Sequence, residues 1–296
     1  MGAGRQMDMA NSTDANKVWF ITGASTGFGR LLAEQVLKAG ERVIATARKP
    51  EHIAELVKQY PETARALVLD VTRPEQIKAV AQDAIAAFGR VDVLVNNAGY
   101  GIAGGVEETA EEEFLPVFET NVLGLMRVTR AFLPQFRKQR SGNIVNLSSI
   151  AGLIGGAGWG YYNASKFAVE GFSEALAQEL APLGVKVTIV EPGPFRTEFL
   201  GGSARFAQKR IADYKDSAGK VLDNLAGAAG SQKGDPMKAV QAIVQVVNSP
   251  EPPLRLLLGA AAFRRFRDKI NLLEKDAKAW ESVTLGADFP PDETTS

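Results

Sequence analysis

Short apolar segments alternate with longer segments of helical periodicity along most of the 296-residue chain. Seven of these apolar segments are nearly continuous and often β-branched, which predicts strands that are covered on both faces. The predicted strands are residues 18–22, 42–47, 66–71, 91–95, 143–147, 185–190 and 254–258. Strands that alternate with helices favour a parallel sheet with right-handed crossovers. We therefore expect an α/β fold with one doubly wound parallel sheet of about seven strands and helices on both faces.

Two regions depart from this alternation. Residues 194–236 form a long insertion in which we predict no strand, and long insertions of this kind are usually functional. We expect a helical lid over a substrate at about 195–235. Residues 262–282, within a C-terminal helical extension at about 260–296, place six apolar side chains on one helical face. The pattern favours a helix docked on the body or on a neighbouring subunit over one lying on a membrane. The six are Phe263, Phe266, Ile270, Leu273, Ala277 and Trp280.

Residues 1–16 are polar and lack the apolar core of a signal peptide, so we expect a disordered tail there. We expect residues 17–296 to form a single catalytic domain. No run of about 18 apolar residues occurs, and we predict no membrane span. The chain contains no cysteine, which suits the reducing cytoplasm.

Charge and composition exclude several classes of function. The 34 Lys and Arg residues balance the 34 Asp and Glu residues, so the chain has no general positive field for nucleic acid. Without cysteine there is no disulfide, thiol nucleophile or zinc-thiolate site. Since His52 is the only histidine, a multi-histidine metal site is excluded as well. We expect no metal.

The first predicted strand runs into a glycine-rich turn, followed by a helix from Arg30. Residues 22–29 read Thr-Gly-Ala-Ser-Thr-Gly-Phe-Gly. Backbone N–H groups and the positive end of a helix can together bind a phosphate, and glycines allow the backbone to approach it closely. Glycine-rich turns are common, so the position after the first strand of a βαβ unit carries most of the signal.

A second group of polar residues lies far along the chain. Tyr162 and Lys166 are four residues apart and share a face if this segment is helical. An ammonium on that face lowers the pKa of a tyrosine hydroxyl, which ordinarily titrates near ~10. The strand at 143–147 ends in Ser148 and Ser149, where a parallel sheet presents its carboxyl edge. A single Tyr, Lys or Ser is more often a surface residue without a functional role. The combination of the three indicates acid–base chemistry.

These segments, in this order, resemble the short-chain dehydrogenase/reductase family over about residues 17–259, which implies a Rossmann-type fold. The turn resembles the TGxxxGxG cofactor motif, and Tyr162 and Lys166 match YxxxK. The family serine lies thirteen positions before the tyrosine, which selects Ser149 over Ser148, and Asn121 falls where the family carries its catalytic asparagine. The resemblance implies that the cofactor is bound by Gly23, Ser25, Thr26, Gly27, Phe28, Gly29, Asp70, Val71, Asn97, Ala98, Gly99, Tyr162, Lys166, Pro192, Gly193, Phe195 and Thr197.

The resemblance also implies a role for each catalytic residue. Tyr162 is expected to act as general acid in reduction and general base in oxidation. Lys166 is expected to hold the ribose hydroxyls and lower the pKa of Tyr162, while Ser149 steadies the substrate oxygen. Asn121 is expected to anchor a water that completes the proton path from Lys166. Tyr161 is a decoy, since on a helix it points about 100° away from Tyr162.

The residues after the second strand favour NADP(H) over NAD(H). Family members that select NAD usually carry an acid at the position that Ala47 occupies here. No carboxylate is therefore present to repel a 2′-phosphate, and the guanidinium of Arg48 follows with a geometry suited to phosphate oxygens. The alternative is that Arg48 faces solvent and the enzyme accepts both cofactors.

The leading hypothesis is an NADP-dependent oxidoreductase, such as a carbonyl reductase, that interconverts a carbonyl and an alcohol. The alternative is a cofactor-binding sensor or scaffold without turnover, which would be expected to lose Tyr162 or Lys166. A nucleotide-sugar epimerase would need a larger C-terminal domain. Aromatic and aliphatic residues near Tyr100, Leu153 and Trp159 favour a hydrophobic substrate. The resemblance implies a homodimer or homotetramer that pairs through helices at about 111–135 and 162–183.

Overall fold

A seven-stranded parallel sheet runs through the part of the chain that the structure describes, with strand order β3-β2-β1-β4-β6-β7-β9. The structure, a computed structural model, describes residues 17–227 and 230–289. The strands are β1 (Val18–Ile21), β2 (Arg42–Ala47), β3 (Ala64–Val68), β4 (Val93–Asn96), β6 (Gly142–Leu147), β7 (Val185–Pro192) and β9 (Arg255–Leu258). Every neighbouring pair is parallel. The predicted doubly wound sheet is confirmed.

Helices cover both faces of this sheet and form two apolar cores with it. In β1, Trp19 and Ile21 face the first core, whereas Val18 and Phe20 face the second. This alternation explains why the strand is apolar throughout, because each side chain meets a helix layer. The first layer contains α1 (Gly27–Lys38), α2 (Ala54–Gln59) and α8 (Pro236–Val247). The second contains α3 (Pro74–Phe88), α5 (Leu125–Gln139) and α6 (Gly160–Leu180).

The order of the strands places a crevice between β1 and β4. The chain moves outward from β1 through β2 to β3, then returns to β4 and continues on the other side. At such a reversal the loops leaving the two central strands diverge and open a cleft at the carboxyl edge of the sheet. The glycine-rich turn follows β1, and Asn97 follows β4, so both lie at this cleft.

The third strand lies earlier in the chain than the sequence predicts. It spans Ala64–Val68 rather than residues 66–71, because Ala64 to Val68 pair in register with Val43 to Ala47 of β2. Asp70 therefore lies two residues beyond the strand instead of ending it. Leu69 and Val71 are buried against the second core although they lie outside the strand. Their apolar character explains why the sequence predicts a strand that ends at residue 71 instead of at Val68.

The insertion at 194–236 contains a strand, so the expectation of a strand-free segment is wrong. β8 (Ala204–Phe206) pairs in parallel with β5 (Gly101–Ala103), which follows β4, and the two form a small second sheet. The described part of the insertion also contains helical turns at Phe199–Ser203, Ala212–Tyr214 and Lys215–Gly219, and the helix α7 (Lys220–Ala226). The insertion thus contains a helical segment, and its strand β8 connects it to the rest of the fold by pairing with β5.

The C-terminal extension forms α9 (Ala260–Ala279) and α10 (Glu281–Leu285). Ala262, in the first turn of α9, is fully buried, but Phe263, Leu273 and Trp280 are 57%, 49% and 65% exposed. The helix therefore docks on the body only near its start. The predicted apolar face is present, but most of it projects from the body rather than packing on it.

The predicted disordered tail at 1–16 and the last part of the predicted extension, 290–296, lie outside the described residues. Between these limits, no described helix is both long and apolar enough to cross a membrane. A further helical region leads into α5. It consists of α4 (Glu111–Phe118) and a π-helical turn, Glu119–Gly124, that leads directly into α5.

Candidate active site

A glycine-rich turn joins β1 to α1 at the carboxyl edge of the sheet. Gly23 has a φ of +66° and Gly27 a φ of +57°, values that side chains other than glycine rarely adopt. A Cβ at Gly29 would lie 2.5 Å from the carbonyl oxygen of Gly23. Thr26, the N-cap, makes no side-chain capping bond, and the first turn of α1 has no acidic residue. Together with half-buried Ser25, the turn fits the diphosphate of a dinucleotide.

Asn97 and Ala98 hold this turn from the end of β4. The Asn97 Nδ2 group donates hydrogen bonds to the carbonyl oxygens of Thr22 and Gly23, both at 2.9 Å. The Thr22 hydroxyl oxygen accepts from the backbone N–H groups of Asn97 and Ala98 at 2.9 and 3.0 Å. We predicted Asn97 and Ala98 as cofactor-binding residues, and the structure places them behind the turn, where they fix its shape. The role of Thr22 was not predicted.

Arg48, Asp70 and Val71 lie just beyond the ends of β2 and β3. Arg48 is exposed and Val71 is buried. Burial raises the pKa of Asp70, but hydrogen bonds from Thr72 and the charges of Arg48 and Arg73 outweigh it, so the net pKa is lowered. Asp70 is therefore held as a carboxylate near the Arg48 guanidinium, at the end of the crevice where an adenosine would lie.

Tyr162 and Lys166 lie on the same face of α6, and both are buried, with 8% and 7% exposure. The Lys166 Nζ lies 5.9 Å from the centroid of the Tyr162 ring. It donates a hydrogen bond of 2.7 Å to the carbonyl oxygen of Leu147, the last residue of β6. The predicted i, i+4 pair is therefore present, and the hydrogen bond to the strand end fixes the ammonium at the edge of the sheet.

The pKa of Tyr162 differs from the expectation based on its neighbour. Burial raises the pKa of Tyr162 to about 12, and Ser149 only partly opposes this shift. Burial likewise lowers the pKa of Lys166 to about 8, although the charge of Glu170 acts in the opposite direction. The expected lowering of the Tyr162 pKa by Lys166 is thus not found in this structure: the shift is set by desolvation of the phenolate, opposed only by the hydrogen bond with Ser149.

Ser149 lies at the start of a 3₁₀ turn, Ile150–Gly152, that follows β6. Its Oγ accepts a hydrogen bond of 3.1 Å from the N–H of Ala151 and lies 3.5 Å from the carbonyl oxygen of Pro192. Ser149 interacts with Tyr162, whereas Ser148 is 4% exposed and its hydroxyl is unpartnered among the described residues. The geometry therefore agrees with the choice of Ser149 over Ser148.

Asn121 lies in the π-helical turn between α4 and α5, and its side chain is fixed by backbone. Its Nδ2 donates to the carbonyl oxygen of Tyr100 at 2.8 Å, and its Oδ1 accepts from the Tyr100 N–H at 3.0 Å. A Cβ at Gly99 would lie 3.0 Å from the Asn121 Oδ1 and 3.8 Å from the Lys166 Nζ. Gly99, Asn121 and Lys166 thus converge, and only glycine leaves this space open.

Tyr161 is turned away from these residues. Its ring stacks on Phe114 with centroids 4.0 Å apart and an interplanar angle of 3°. Its hydroxyl donates a hydrogen bond of 3.2 Å to the carbonyl oxygen of Val106. The structure therefore places Tyr162, and not Tyr161, at the site.

The segment after β7 closes the other side of the crevice. The N–H of Gly193, which follows Pro192, donates a hydrogen bond of 2.9 Å to the carbonyl oxygen of Leu258. Phe195 lies edge-on to Phe28 of the glycine-rich turn, with ring centroids 5.5 Å apart. Thr197 donates its backbone N–H to the carbonyl oxygen of Phe195 at 2.9 Å. Among these predicted cofactor-binding residues, Phe195 therefore contacts the glycine-rich turn directly, whereas Gly193 is held by the end of β9.

Two aromatic residues lie against the ring of Tyr162. The Trp159 ring lies 5.5 Å from it and the Phe199 ring 5.7 Å from it, measured between centroids. Phe199 belongs to the insertion, and Trp159 immediately precedes α6. Burial, to which these rings contribute, explains the raised pKa of Tyr162, and the two rings make the surroundings of the tyrosine ring apolar.

A buried cluster of carboxylates lies behind Lys166, and it was missed from the sequence. Glu191 of β7 is fully buried and its Oε1 lies 2.6 Å from Nη1 of Arg255. Glu170 is 4% exposed, and it and Glu174 also pair with the Arg255 guanidinium. Burial, and then the charge of Glu170, raises the pKa of Glu191 to about 7. Glu191 therefore keeps its proton to a higher pH than an exposed carboxyl group does, even though it pairs with Arg255. Within the described residues, no group of three His, Asp or Glu residues is arranged to hold a metal ion.

The comparisons with known proteins agree with this geometry. The family model for short chain dehydrogenase matches residues 17–207. An oxidoreductase of Botryotinia fuckeliana is 38% identical over 92% of this chain and 99% of its own length. A 3-ketodihydrosphingosine reductase of Bacteroides thetaiotaomicron is 39% identical over 82% of this chain and 88% of its own.

Solved structures give the same result. A short-chain dehydrogenase from Streptomyces avermitilis is 45% identical, covers 94% of this chain and 100% of its own, and has a TM-score of 0.87. A family member from Burkholderia phymatum, in complex with NAD, has a TM-score of 0.75 at 28% identity, covering 87% of this chain and 95% of its own. ElxO, with NADP bound, has a TM-score of 0.70 at 31% identity and covers 84% of this chain and 99% of its own. The chain therefore belongs to the short-chain dehydrogenase/reductase family and is an NAD(P)-dependent oxidoreductase.

Proposed function

We propose that this oxidoreductase interconverts a carbonyl group and an alcohol on a hydrophobic substrate, with NADP(H) as its preferred cofactor. The observation that carries the proposal is the arrangement of Ser149, Tyr162 and Lys166 at one edge of the sheet, beneath the rings of Trp159 and Phe199. This arrangement supplies a proton donor, a fixed cation and an apolar cover at one place.

The bound nicotinamide supplies or accepts the hydride, and the protein residues hold the substrate and move a proton. Tyr162 donates its hydroxyl proton to the substrate oxygen in reduction and takes it back in oxidation. The neutral phenol predominates because burial raises its pKa to about 12, and this state suits a proton donor. Ser149 donates a hydrogen bond to the same substrate oxygen. Lys166, whose ammonium donates to the Leu147 carbonyl at the end of β6, would hold the ribose hydroxyls.

The preference for NADP(H) rests on the charges at the end of β2. Ala47 ends β2 without a carboxylate, and Arg48 follows it with an exposed guanidinium. The charge of Arg48 also helps to lower the pKa of Asp70, so the two side chains lie within electrostatic range of each other at this end of the crevice. A 2′-phosphate would add a second anion to Arg48 and meet no acidic residue at position 47.

The preference for a hydrophobic substrate rests on the surroundings of Tyr162. The rings of Trp159 and Phe199 lie 6.4 Å apart, so they and the Tyr162 ring form one aromatic cluster. The ring of Tyr100 lies beneath the Arg205 guanidinium of the insertion, with the guanidinium carbon 4.8 Å from the ring centroid. A bulky apolar group attached to the carbonyl would replace water on these rings, which stabilises binding by about 25 cal/mol per Å².

The test is the change in absorbance of the reduced nicotinamide with a panel of aldehydes, ketones and alcohols of graded hydrophobicity. We expect turnover with NADPH that exceeds turnover with NADH, and a kcat/KM that rises with the apolar area of the substrate. Tight cofactor binding without turnover across the panel would instead favour a sensor or scaffold.

Two further properties belong to the proposal. The enzyme acts in the cytoplasm, which fits a chain of 296 residues without cysteine. It also forms a homodimer or homotetramer through α5 and α6. Phe167 on α6 is 44% exposed, and Leu123, in the π-helical turn before α5, is 39% exposed, so this surface presents apolar side chains that a second subunit would cover.

A further inference from the structure

We propose that α9 is a second, separate contact between subunits, in which the C-terminal helices of two copies pair side by side in opposite directions. The occupant of the exposed apolar face of α9 is thus the same helix of another copy. This pairing does not depend on the reaction proposed above, nor on the surface formed by α5 and α6.

The first observation is the spacing of the apolar residues on α9. Apart from Leu272, which lies off this face, the large apolar residues, together with Ala277, recur at alternating intervals of three and four residues, which is the heptad repeat of helices that pair through a narrow seam. The residues are Phe263, Phe266, Ile270, Leu273 and Ala277 of α9, together with Trp280, which follows its last residue as the C-cap. A helix that lies on a membrane or on a globular core usually shows a broader apolar face. The narrow seam therefore favours another helix as the partner.

The second observation is that the body of the protein covers little of this seam. Phe263, Leu273 and Trp280 are 57%, 49% and 65% exposed. Ala277 is also exposed, while Phe266 and Ile270 are only partly buried. The 20 residues of α9 correspond to a length of about 30 Å at ~1.5 Å per residue. Leaving such a seam in water is unfavourable, and an identical seam on a second copy can cover it.

The third observation is the size of the residues along the seam. If two copies run in opposite directions and Ile270 lies opposite Leu273, then Phe266 lies opposite Ala277 and Phe263 lies opposite Trp280. The small Ala277 thus faces a large ring, and the two largest pairs lie at the ends. In a parallel pair, Ala277 would face Ala277 and Trp280 would face Trp280, which leaves a gap beside an overfilled layer.

The fourth observation is the charge on the positions that flank the seam. Arg267 and Glu274 lie on one side, and Lys269 and Asp276 lie on the other. In the antiparallel register described above, Arg267 faces Glu274 of the second copy, and Lys269 faces its Asp276. All four flanking pairs are then of opposite charge, and such pairs set the direction of helix pairing. None of the four side chains forms an ion pair with a residue that the structure describes.

Charge reversal of the full chain tests this pairing. We expect R267E/K269E to halve the molar mass measured by light scattering, because acidic groups then face Glu274 and Asp276. Adding E274R/D276K in the same chain restores opposite charges, and we expect the wild-type mass to return. An equal mass for wild type and R267E/K269E would overturn the proposal, as would a mass that stays halved in the fourfold variant.

Cysteine cross-linking tests the direction of the pair, since the chain contains no other cysteine. We expect R267C/E274C to form a disulfide-linked dimer under mild oxidation, because the two positions face each other between copies. The matched control is D268C/K275C, which has the same spacing on the outer face of α9 and should remain unlinked. Equal linkage in the two variants would overturn the antiparallel register. Co-sedimentation of wild type with anionic phospholipid vesicles, without self-association in solution, would assign the seam to a membrane instead.

Discussion

The ring of Phe199, in the insertion, lies 5.7 Å from the ring of Tyr162 at an interplanar angle of 48°. The insertion therefore reaches the proposed proton donor itself, and does not simply cover the entrance to the crevice. The contact is accompanied by the pairing of β8 with β5 and by hydrogen bonds from the backbone of Gln208 and Ile211 to Glu113 and Glu108. Substrate and cofactor would have to enter past this segment.

We therefore predict that the segment 195–235 opens and closes as a lid. Its backbone amides are expected to exchange with solvent faster than those of β4 and β6 in the free enzyme, and to slow when cofactor binds. Hydrogen exchange followed by mass spectrometry measures both rates. Full protection of this segment without cofactor would show that it is a permanently packed cap.

We predict that Tyr162→Phe lowers kcat by at least about 10²-fold and leaves the Kd for the cofactor nearly unchanged. The substitution removes the proton donor, whereas the ring continues to pack against Trp159 and Phe199. Tyr161→Phe is the matched control, since among the described residues its hydroxyl bonds to the Val106 carbonyl and not to the site, and it should retain kcat. If Tyr161→Phe lost activity and Tyr162→Phe kept it, the assignment of Tyr162 as the proton donor would be wrong.

We predict that Arg48→Ala lowers the ratio of kcat/KM for NADPH to that for NADH by roughly tenfold to a hundredfold. This range corresponds to the loss of one charge-assisted contact of ~1.5–3 kcal/mol. Lys49→Ala removes an exposed charge from the next position and should leave the ratio nearly constant. An unchanged ratio in Arg48→Ala would remove this residue from cofactor selection.

We predict that Glu191 makes the folded protein less stable as the pH rises from about 4.5 to about 7. Burial, together with the charge of Glu170, raises the pKa of Glu191 from 4.5 to about 7 in the folded state. The folded state therefore binds this proton more tightly than the unfolded chain, and its stabilising effect is lost as the proton leaves. Glu191→Gln cannot ionise and should show a shallower fall in the free energy of unfolding over this range.

Denaturant titrations at several pH values measure that slope. Glu174→Gln is the control, because Glu174 also pairs with Arg255 but is 49% exposed. This variant should keep the wild-type dependence of the free energy of unfolding on pH. Identical slopes for wild type and Glu191→Gln would contradict the raised pKa.

We predict that Gly29→Ala destabilises the fold by roughly 1–3 kcal/mol and weakens cofactor binding. Its Cβ would lie 2.5 Å from the carbonyl oxygen of Gly23, so the turn must shift. Gly171→Ala is the control, because Gly171 lies within α6 with no atom within 4 Å of a new Cβ. That variant should be stabilised by about 0.5–1 kcal/mol. Thermal unfolding with and without cofactor distinguishes the two variants.

The features that the sequence predicts well depend on local spacing. The turn from Gly23 to Gly29 and the pair of Tyr162 and Lys166 each lie within one short segment, where helical or turn geometry brings the residues together. Because the resemblance to the family adds the order of these segments, Ser149 and Asn121 could be proposed as site residues without a structure.

The features that were missed depend on contacts between distant parts of the chain. Arg255 meets Glu191 and Glu170 only when β9 and α6 assemble beside β7, and no local pattern marks these residues as a group. The strand β8 exists because β5 offers it an edge. The pKa of Tyr162 depends on burial beneath Trp159 and Phe199. The spacing of residues along α6 gives no indication of this burial.

The π-helical turn Glu119–Gly124 lies between two regular helices, α4 and α5. A turn of this type holds one more residue than a regular helical turn. The side chains of α4 are therefore rotated about the helix axis relative to those of α5, by about 100° for each added residue. Removing a single residue there would let α4 and α5 merge into one uninterrupted rod, with the Asn121 side chain facing away from Tyr100. The chain thus keeps a local irregularity in an otherwise continuous helix, and the position of one active-site amide depends on it.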